Sequence, residues 1–370
     1  MTKKLSPASS SIKHSDGNSP LTTLTRTIHP VGQGAFYSEI FSVRKNKLFT
    51  AVYDCGRHNM GDQKTKIERL DTVDLIFISH FHEDHINGIK EIQQYANPLI
   101  VIPGISHHAF VIDLICNYIY TGDKRCNSIS LMFDCLPALS SARNNNNKQN
   151  QIIIARNSNR GSRFKVVQEG VASIGIPRPS DDSKDSFLWR YDAYFHKYDK
   201  EKEKELILKL SESISQLAGH ISDDYKEEIW YRNLIDGLSK LNLDTIRGVF
   251  ASVYKGSPNR YSMLVHSYPV KKQNNMDCLY TGDITITQPV KSTIININPH
   301  YIQVPHHGSK NNFAESIYNK RQIAFISVGK KNTYGHPNRE TLVELIQICK
   351  SVHIITESQK SKYKRRLILK

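Results

Sequence analysis

Three histidines and an aspartate follow directly after a short apolar run, and this stretch restricts the fold most. Residues 75–78 read Leu-Ile-Phe-Ile, which is typical of a buried strand. The polar residues that follow are His80, His82, Asp84 and His85. Histidines two positions apart on an extended chain leave the same face, and such clustered nitrogen and oxygen donors suit zinc, manganese or iron. The stretch therefore predicts a metal site at a strand-to-helix turn.

Further motifs surround this stretch on both sides. They are Val31-Gly32-Gln33-Gly34, Asp54-Cys55-Gly56, Thr281-Gly282-Asp283, His306-His307-Gly308-Ser309, and a closing block of Ser327-Val328-Gly329 with Tyr334-Gly335-His336-Pro337. In this order they resemble the metallo-β-lactamase superfamily, and within it the soluble hydrolase domain of ComEC-type DNA-uptake proteins. The resemblance implies an α/β chain folded as a four-layer αβ/βα sandwich, with its site at one edge of two paired sheets.

The resemblance also implies two divalent metal ions, with Zn²⁺ expected first and Mn²⁺ as the alternative. The ligands carried over by motif are His80 and His82 for one ion, Asp84 and His85 for the second, Asp283 as the bridge, and one of His306 and His307. Which histidine of the adjacent pair binds the metal stays open. Many members supply a third histidine to the first ion, but the equivalent residues here read Asn-Arg-Tyr-Ser at 259–262, with His266 nearby. The third ligand of the first ion is therefore left open.

The implied reaction is hydrolysis by a water molecule that the two ions activate. Asp84 would accept the proton of this water while it remains a ligand. His336 would stabilise the developing anion or protonate the leaving oxygen. Asp54 would lie behind the ligands and orient a histidine or the loop through hydrogen bonds.

An excess of positive charge indicates a polyanionic partner. The chain has 370 residues, with 50 Lys and Arg against 35 Asp and Glu, which gives a formal charge of +15. Together with the metal motif, this charge favours a phosphodiesterase or nuclease acting on DNA or RNA. A hydrolase of a small phosphodiester, cyclic nucleotide or lactone is the first alternative. A component that binds nucleic acid or recruits a partner with little turnover is the second.

Cysteine spacing and hydropathy limit the class of protein further. The six cysteines lie far apart without a CxxC pair, which argues against a zinc ribbon or a disulfide framework and for reduced thiols. No apolar run approaches the roughly 18 residues that span a bilayer, and no apolar leader is expected. We therefore expect a cytoplasmic protein without a membrane span.

Composition divides the chain into three predicted parts. Residues 1–26 are expected to be a disordered tail and residues 27–357 the hydrolase domain. A mostly helical insertion at about 106–245 would cap the site or bind a protein partner, and residues 248–254 read as a strand. Residues 358–370 would form a flexible basic tail that contacts nucleic acid. Its cations are Lys360, Lys362, Lys364, Arg365 and Arg366.

Overall fold

Two β-sheets and a set of helices form the molecule. The computed structural model describes residues 21–57, 68–144, 153–154, 163–178, 187–196, 200–214, 228–253, 261–271, 273 and 275–369. Within these ranges the chain is mixed α/β, with side chains of the two sheets packed face to face. The predicted fold class is confirmed at this level.

The first sheet contains the N-terminal half of the fold and one C-terminal strand. Its order is β15-β1-β2-β3-β4-β5-β7. The strands are β1 (Thr22–Ile28), β2 (Phe36–Val43), β3 (Asn46–Cys55), β4 (Leu75–Phe77), β5 (Leu99–Pro103), β7 (Phe164–Val167) and β15 (Tyr363–Leu369). From β3 to β7 the neighbouring strands are parallel. Parallel pairing brings the carboxyl ends of β3 and β4 to one edge, where the predicted metal motif begins.

The second sheet has the order β14-β13-β12-β11-β10-β9-β8-β6. The strands are β6 (Ile153–Ile154), β8 (Gly170–Pro177), β9 (Phe187–Phe195), β10 (Leu264–Pro269), β11 (Cys278–Tyr280), β12 (Tyr301–Gln303), β13 (Ile323–Ser327) and β14 (Ser351–Ile355). Strands β11 to β14 are parallel, so the segments that follow β11, β12 and β13 also meet at one edge.

Nine α-helices of the described chain connect and cover the sheets. They are α1 (Glu83–Ile86), α2 (Ile89–Gln93), α3 (His107–Thr121), α4 (Asn127–Asn144), α5 (Lys200–Ser213), α6 (Glu228–Leu238), α7 (Leu243–Val253), α8 (Gln288–Ile297) and α9 (Arg339–Ile348). Helix α3 begins after Ser106, whose hydroxyl accepts a hydrogen bond from the Ala109 amide, and ends at the left-handed Gly122. Among the described helices, none is long and apolar enough to cross a membrane.

Aromatic side chains fill the space between the sheets. Tyr53 of β3 stacks on Tyr280 of β11 with ring centroids 5.0 Å apart, and Phe41 of β2 meets Trp189 of β9 at 5.5 Å. Burial of such rings is the main stabilising contribution across the two sheets. The sheets therefore form a fixed support for the loops at their common edge.

The prediction of a flexible basic tail at 358–370 is wrong, because residues 363–369 form strand β15. This strand pairs antiparallel with β1 along its whole length. Leu367 and Leu369 alternate with exposed residues and are buried, while Lys364 and Arg366 remain exposed. The period-two alternation of apolar residues explains why the segment completes the sheet.

The other predicted boundaries also need correction. Strand β1 starts at Thr22, so the fold begins before residue 27, while the disorder expected for residues 1–20 lies outside the described residues. Helices supply most of the described residues of segment 106–245, as expected, but the segment is not an insertion outside the sheets, because it adds β7 to the first sheet and β6, β8 and β9 to the second. Residues 248–253, expected as a strand, belong to α7, where Ile246, Val249 and Phe250 follow helical spacing.

Candidate metal centre

The metal motif lies in a loop that the backbone of two other segments holds in place. The loop leaves β4 and enters α1, which contains Asp84 and His85. The Ala35 amide donates a hydrogen bond to the Asp84 carbonyl over 3.0 Å. A Cβ atom at Gly56 would lie 1.8 Å from the same carbonyl oxygen, so only glycine permits this approach. The two glycine-containing motifs near the N-terminus therefore shape the metal loop.

Asp54 orients two histidines of the motif from a fully buried position. Its carboxylate accepts hydrogen bonds from the Ser79 amide and hydroxyl, both over 2.7 Å, and from His85 Nδ1 over 2.8 Å. Because the Ser79 hydroxyl already donates to Asp54, its oxygen accepts from His80 Nδ1 over 2.9 Å. Both imidazoles therefore carry their hydrogen on Nδ1 and present an unprotonated Nε2, which is the tautomer that metal ligands need.

The adjacent histidines after β12 have different surroundings. His307 Nδ1 donates to the Ser327 carbonyl oxygen over 2.8 Å, and His306 Nδ1 lies 2.9 Å from Asn312 Oδ1. Both histidines have left-handed backbones, with φ of 48° at His306 and 54° at His307. Such conformations are costly for residues other than glycine and are concentrated at functional sites.

Asp283 lies at the centre of these imidazoles. Its Oδ1 is 3.3 Å from His85 Nε2 and 3.8 Å from His307 Nε2. Its Oδ2 is 3.9 Å from His80 Nε2 and 3.7 Å from His306 Nε2. The two oxygens thus face different pairs of histidines.

Two groups of ligand atoms have all members within 4.8 Å of one another. One contains His80, His85 and Asp283, and the other contains Asp84, His85 and His307. Of the adjacent pair, His307 is therefore the member that joins Asp84, with its Nε2 3.5 Å from Asp84 Oδ2. His306 belongs to neither group.

His82 is also outside both groups, although the sequence paired it with His80. Its Nε2 lies 3.5 Å from Asp113 Oδ1 on α3. His266, the histidine close to the missing third ligand, has its Nε2 3.3 Å from Asp277 Oδ2 and is likewise outside the groups. Asp113 carried no signal in the sequence, because it is a single acidic residue within the apolar face of a helix.

The donor atoms fit divalent metal ions. Within the described part of the chain, the buried Nε2 atoms of His80, His82, His85 and His307 have no hydrogen-bond partner. Polar atoms left unbonded in a protein interior are destabilising, and imidazole nitrogens near carboxylate oxygens are the usual ligands of zinc. The arrangement is consistent with a site for divalent metals.

The charges of the two carboxylates and the neutral form of His80 suit metal binding. Burial would raise the pKa of Asp283, but His85 and the His306–His307 pair hold it well below its usual value. Burial likewise opposes ionisation of Asp84, whose pKa His85 and His307 nevertheless lower. Burial, His85 and His82 lower the pKa of His80. Ionised carboxylates and neutral imidazoles are the forms that bind metals. Although burial opposes this, Asp283 raises the pKa of His85 and of His307, so a metal ion would displace protons from these two imidazoles.

An open cavity of about 420 Å³ gives access to the cluster. Asp84, Asp283, His306 and His307 lie at its base. Its aromatic wall is formed by Tyr120 of α3, Phe250 of α7 and Tyr334. His336 also lines it, with ring centroids 5.3 Å from His306. Burial and the histidines of the adjacent pair lower the pKa of His336 to about 4, so this imidazole is neutral near pH 7.

The predicted nucleic-acid contacts lie elsewhere. Lys364, Arg365 and Arg366 are exposed on β15, and Lys360 is exposed just before it. Lys362 donates to Glu68 over 2.6 Å. None of these five cations is among the described residues that line the cavity.

Comparison with known proteins gives a family match for part of the chain. Residues 40–114 match the model of the metallo-β-lactamase superfamily, and this range includes the whole metal loop. One solved structure that aligns with the chain is a long form RNase Z from yeast, with 8% identity and a TM-score of 0.31. The alignment covers 83% of this chain and 37% of that chain, so this chain spans well under half of the yeast protein. No curated protein matches the chain.

Proposed function

We propose that the chain is a metal-dependent phosphodiesterase that hydrolyses DNA or RNA. One observation carries the proposal: His80, His85 and His307 have their Nδ1 atoms fixed by hydrogen bonds and their Nε2 atoms close to Asp283. Residues oriented in this way fit a dinuclear centre, and the partial family match supports the same reading. Zn²⁺ is the metal proposed first, with Mn²⁺ as the alternative.

Bound divalent ions would supply a Lewis acid and lower the pKa of water towards neutrality. Asp84 would accept the proton, because its ionised carboxylate lines the cavity and is 22% exposed. His336 would donate a hydrogen bond to the leaving oxygen as a neutral imidazole, since its pKa of about 4 leaves little imidazolium at pH 7. Asp54 would keep His85 in position.

Charge supports a nucleic-acid substrate. The formal charge of +15 attracts phosphates over a long range, and the exposed cations of β15 remain proposed contacts. An alternative role of these cations is to prevent pairing of the exposed edge strand with other chains. The test is a double variant, Lys364→Gln with Arg366→Gln. The slope of the logarithm of its association constant for nucleic acid against the logarithm of salt concentration should become flatter by about one unit per lost contact. An unchanged slope would indicate that these cations prevent pairing of the edge strand with other chains and do not contact nucleic acid.

The cavity favours a second candidate, a small phosphodiester or cyclic nucleotide. Its volume of about 420 Å³ falls within the range of small-ligand pockets, and Tyr120, Phe250 and Tyr334 offer surfaces for one base.

The ComEC-type resemblance rests on the motifs alone, so we carry over hydrolysis and not DNA uptake. The free cysteines support a cytoplasmic setting as part of the proposal.

The test is incubation of purified protein with plasmid, linear and single-stranded DNA, RNA and bis(p-nitrophenyl) phosphate, each with Zn²⁺, Mn²⁺ or Mg²⁺. Cleavage of a nucleic acid that stops on chelation and returns on reloading supports the proposal. Turnover of the small ester or a cyclic nucleotide alone would favour the second candidate. Metal-loaded protein that binds nucleic acid and cleaves none of the substrates would instead indicate a binding component.

A further inference from the structure

A buried aspartate on α3 lies next to the metal loop, and one of its two carboxylate oxygens has no hydrogen-bond partner among the described residues. Asp113 is fully buried, and its Oδ1 accepts a hydrogen bond from the Tyr261 hydroxyl over 2.5 Å. The same oxygen is 3.5 Å from His82 Nε2. Its second oxygen, Oδ2, has no hydrogen-bond partner among the described residues.

This arrangement requires a positive charge beside the carboxylate. A buried carboxylate is destabilising unless hydrogen bonds and an opposite charge compensate for its lost hydration. In the described chain, the ion-pair partner of Asp113 within 4.0 Å is His82, and Asp113 together with Cys116 raises the pKa of this imidazole to about 10 although burial opposes this. Without a metal, a proton on His82 compensates for the carboxylate. His82 Nε2 and the unpaired Asp113 Oδ2 would be available to a metal ion that displaced this proton.

Asp113 also lies next to a motif ligand of the first ion, although His80, His82 and Asp113 are not one of the two described groups whose ligand atoms all lie within 4.8 Å of one another. His80 and His82 are the motif ligands of that ion, and their rings are 4.6 Å apart. The resemblance places the third histidine of many superfamily members at residues 259–262, which here include Tyr261 and Ser262. Here Tyr261 positions Asp113, while the Ser262 hydroxyl lies 3.2 Å from His80 Nδ1. The chain thus places a carboxylate on α3 beside the region where the resemblance would put a histidine.

We propose that Asp113 is a protein ligand of the first metal ion and takes the place of the missing histidine. The inference rests on the dinuclear centre of the proposed function. A carboxylate oxygen suits Zn²⁺ or Mn²⁺, and the Tyr261 hydroxyl keeps the carboxylate oriented.

Metal stoichiometry tests the inference without any activity assay. After dialysis against metal-free buffer, wild-type protein should retain about two ions per chain, while Asp113→Asn and His82→Gln should each retain about one. Asparagine keeps the volume of Asp113 and the acceptor for Tyr261, and circular dichroism melting checks that the fold is intact. Asp134→Asn removes the partner of Lys90 on the surface of α4 and should keep both ions. Retention of both ions by Asp113→Asn would overturn the proposal.

Crystals loaded with Zn²⁺ separate a ligand from a residue that only positions His82. Anomalous scattering should place an Asp113 oxygen about 2.0–2.2 Å from the first ion. A carboxylate that contacts only His82 and Tyr261, with the ion beyond about 3 Å, would refute the assignment. If the wild-type protein shows this coordination and cleaves no phosphodiester, the proposed function fails while the role of Asp113 stands.

Discussion

Replacing Asp54 by asparagine should weaken metal binding without disturbing the backbone. Asp54 has a left-handed backbone with φ of 49°, a conformation that asparagine adopts readily. The carboxylate accepts three hydrogen bonds of 2.7, 2.7 and 2.8 Å from Ser79 and His85. An amide offers one acceptor oxygen, and its NH₂ group would face a donor. The amide therefore loses either the bond from the Ser79 amide to Oδ1 or the bonds from the Ser79 hydroxyl and His85 to Oδ2, and in both cases the negative charge that orients His85 is removed.

The expected loss of metal affinity follows from the role of a carboxylate that orients a ligand histidine. Removing a group that orients a ligand histidine costs roughly 10- to 100-fold in metal affinity, which is about 1.4–2.7 kcal/mol. Competition with a chromophoric chelator gives the dissociation constants of both ions. The matched control is Asp74→Asn, because Asp74 accepts from the Thr50 amide over 2.8 Å in the same sheet. Equal metal affinities in wild-type and Asp54→Asn protein would show that Asp54 does not orient His85 for metal binding. An equal loss of affinity in Asp54→Asn and Asp74→Asn would show the same.

Three further predictions address the bridge, the C-terminal strand and pH. Asp283→Ala should lower occupancy of both metal positions, and full metal content by elemental analysis would reject the bridging role. Truncation after Ser358 removes β15 with the buried Leu367 and Leu369 and should cost about 3–6 kcal/mol in urea unfolding, whereas unchanged stability would contradict the pairing. Burial lowers the pKa of His29, so stability should fall as pH decreases below 6.5, and His29→Gln should flatten that dependence. Identical pH dependence in both proteins would contradict it.

The metal residues were accessible to sequence reasoning because their chemistry is local. His80, Asp84 and His85 lie within one loop, and a dense set of nitrogen and oxygen donors directly after an apolar run is typical of a metal site. Asp283 and His307 are far away in the chain, and the resemblance alone associated them with the loop. Their convergence comes from parallel strands of two sheets ending at one edge.

Residues outside the motifs could not be predicted from local pattern. Asp113 is one acidic residue in a helix, and its proximity to His82 depends on how α3 packs against the loop. The aromatic wall has the same origin, since Tyr120 and Phe250 come from segments without motifs. Strand β15 was missed because cations are so frequent in the C-terminal segment, although Leu367 and Leu369 keep the alternation of a strand.

Hydrolysis of bis(p-nitrophenyl) phosphate during metal titration tests the central claim most directly. The initial rate should rise from the metal-free protein and level off at about two ions per chain. In the same titration, Asp84→Ala should be slower by about 10²- to 10⁴-fold, because the proton acceptor and a ligand are removed, while its melting curve stays close to wild type. A metal-free protein as active as the loaded one, or Asp84→Ala at the wild-type rate, would contradict a hydrolytic centre built on these residues.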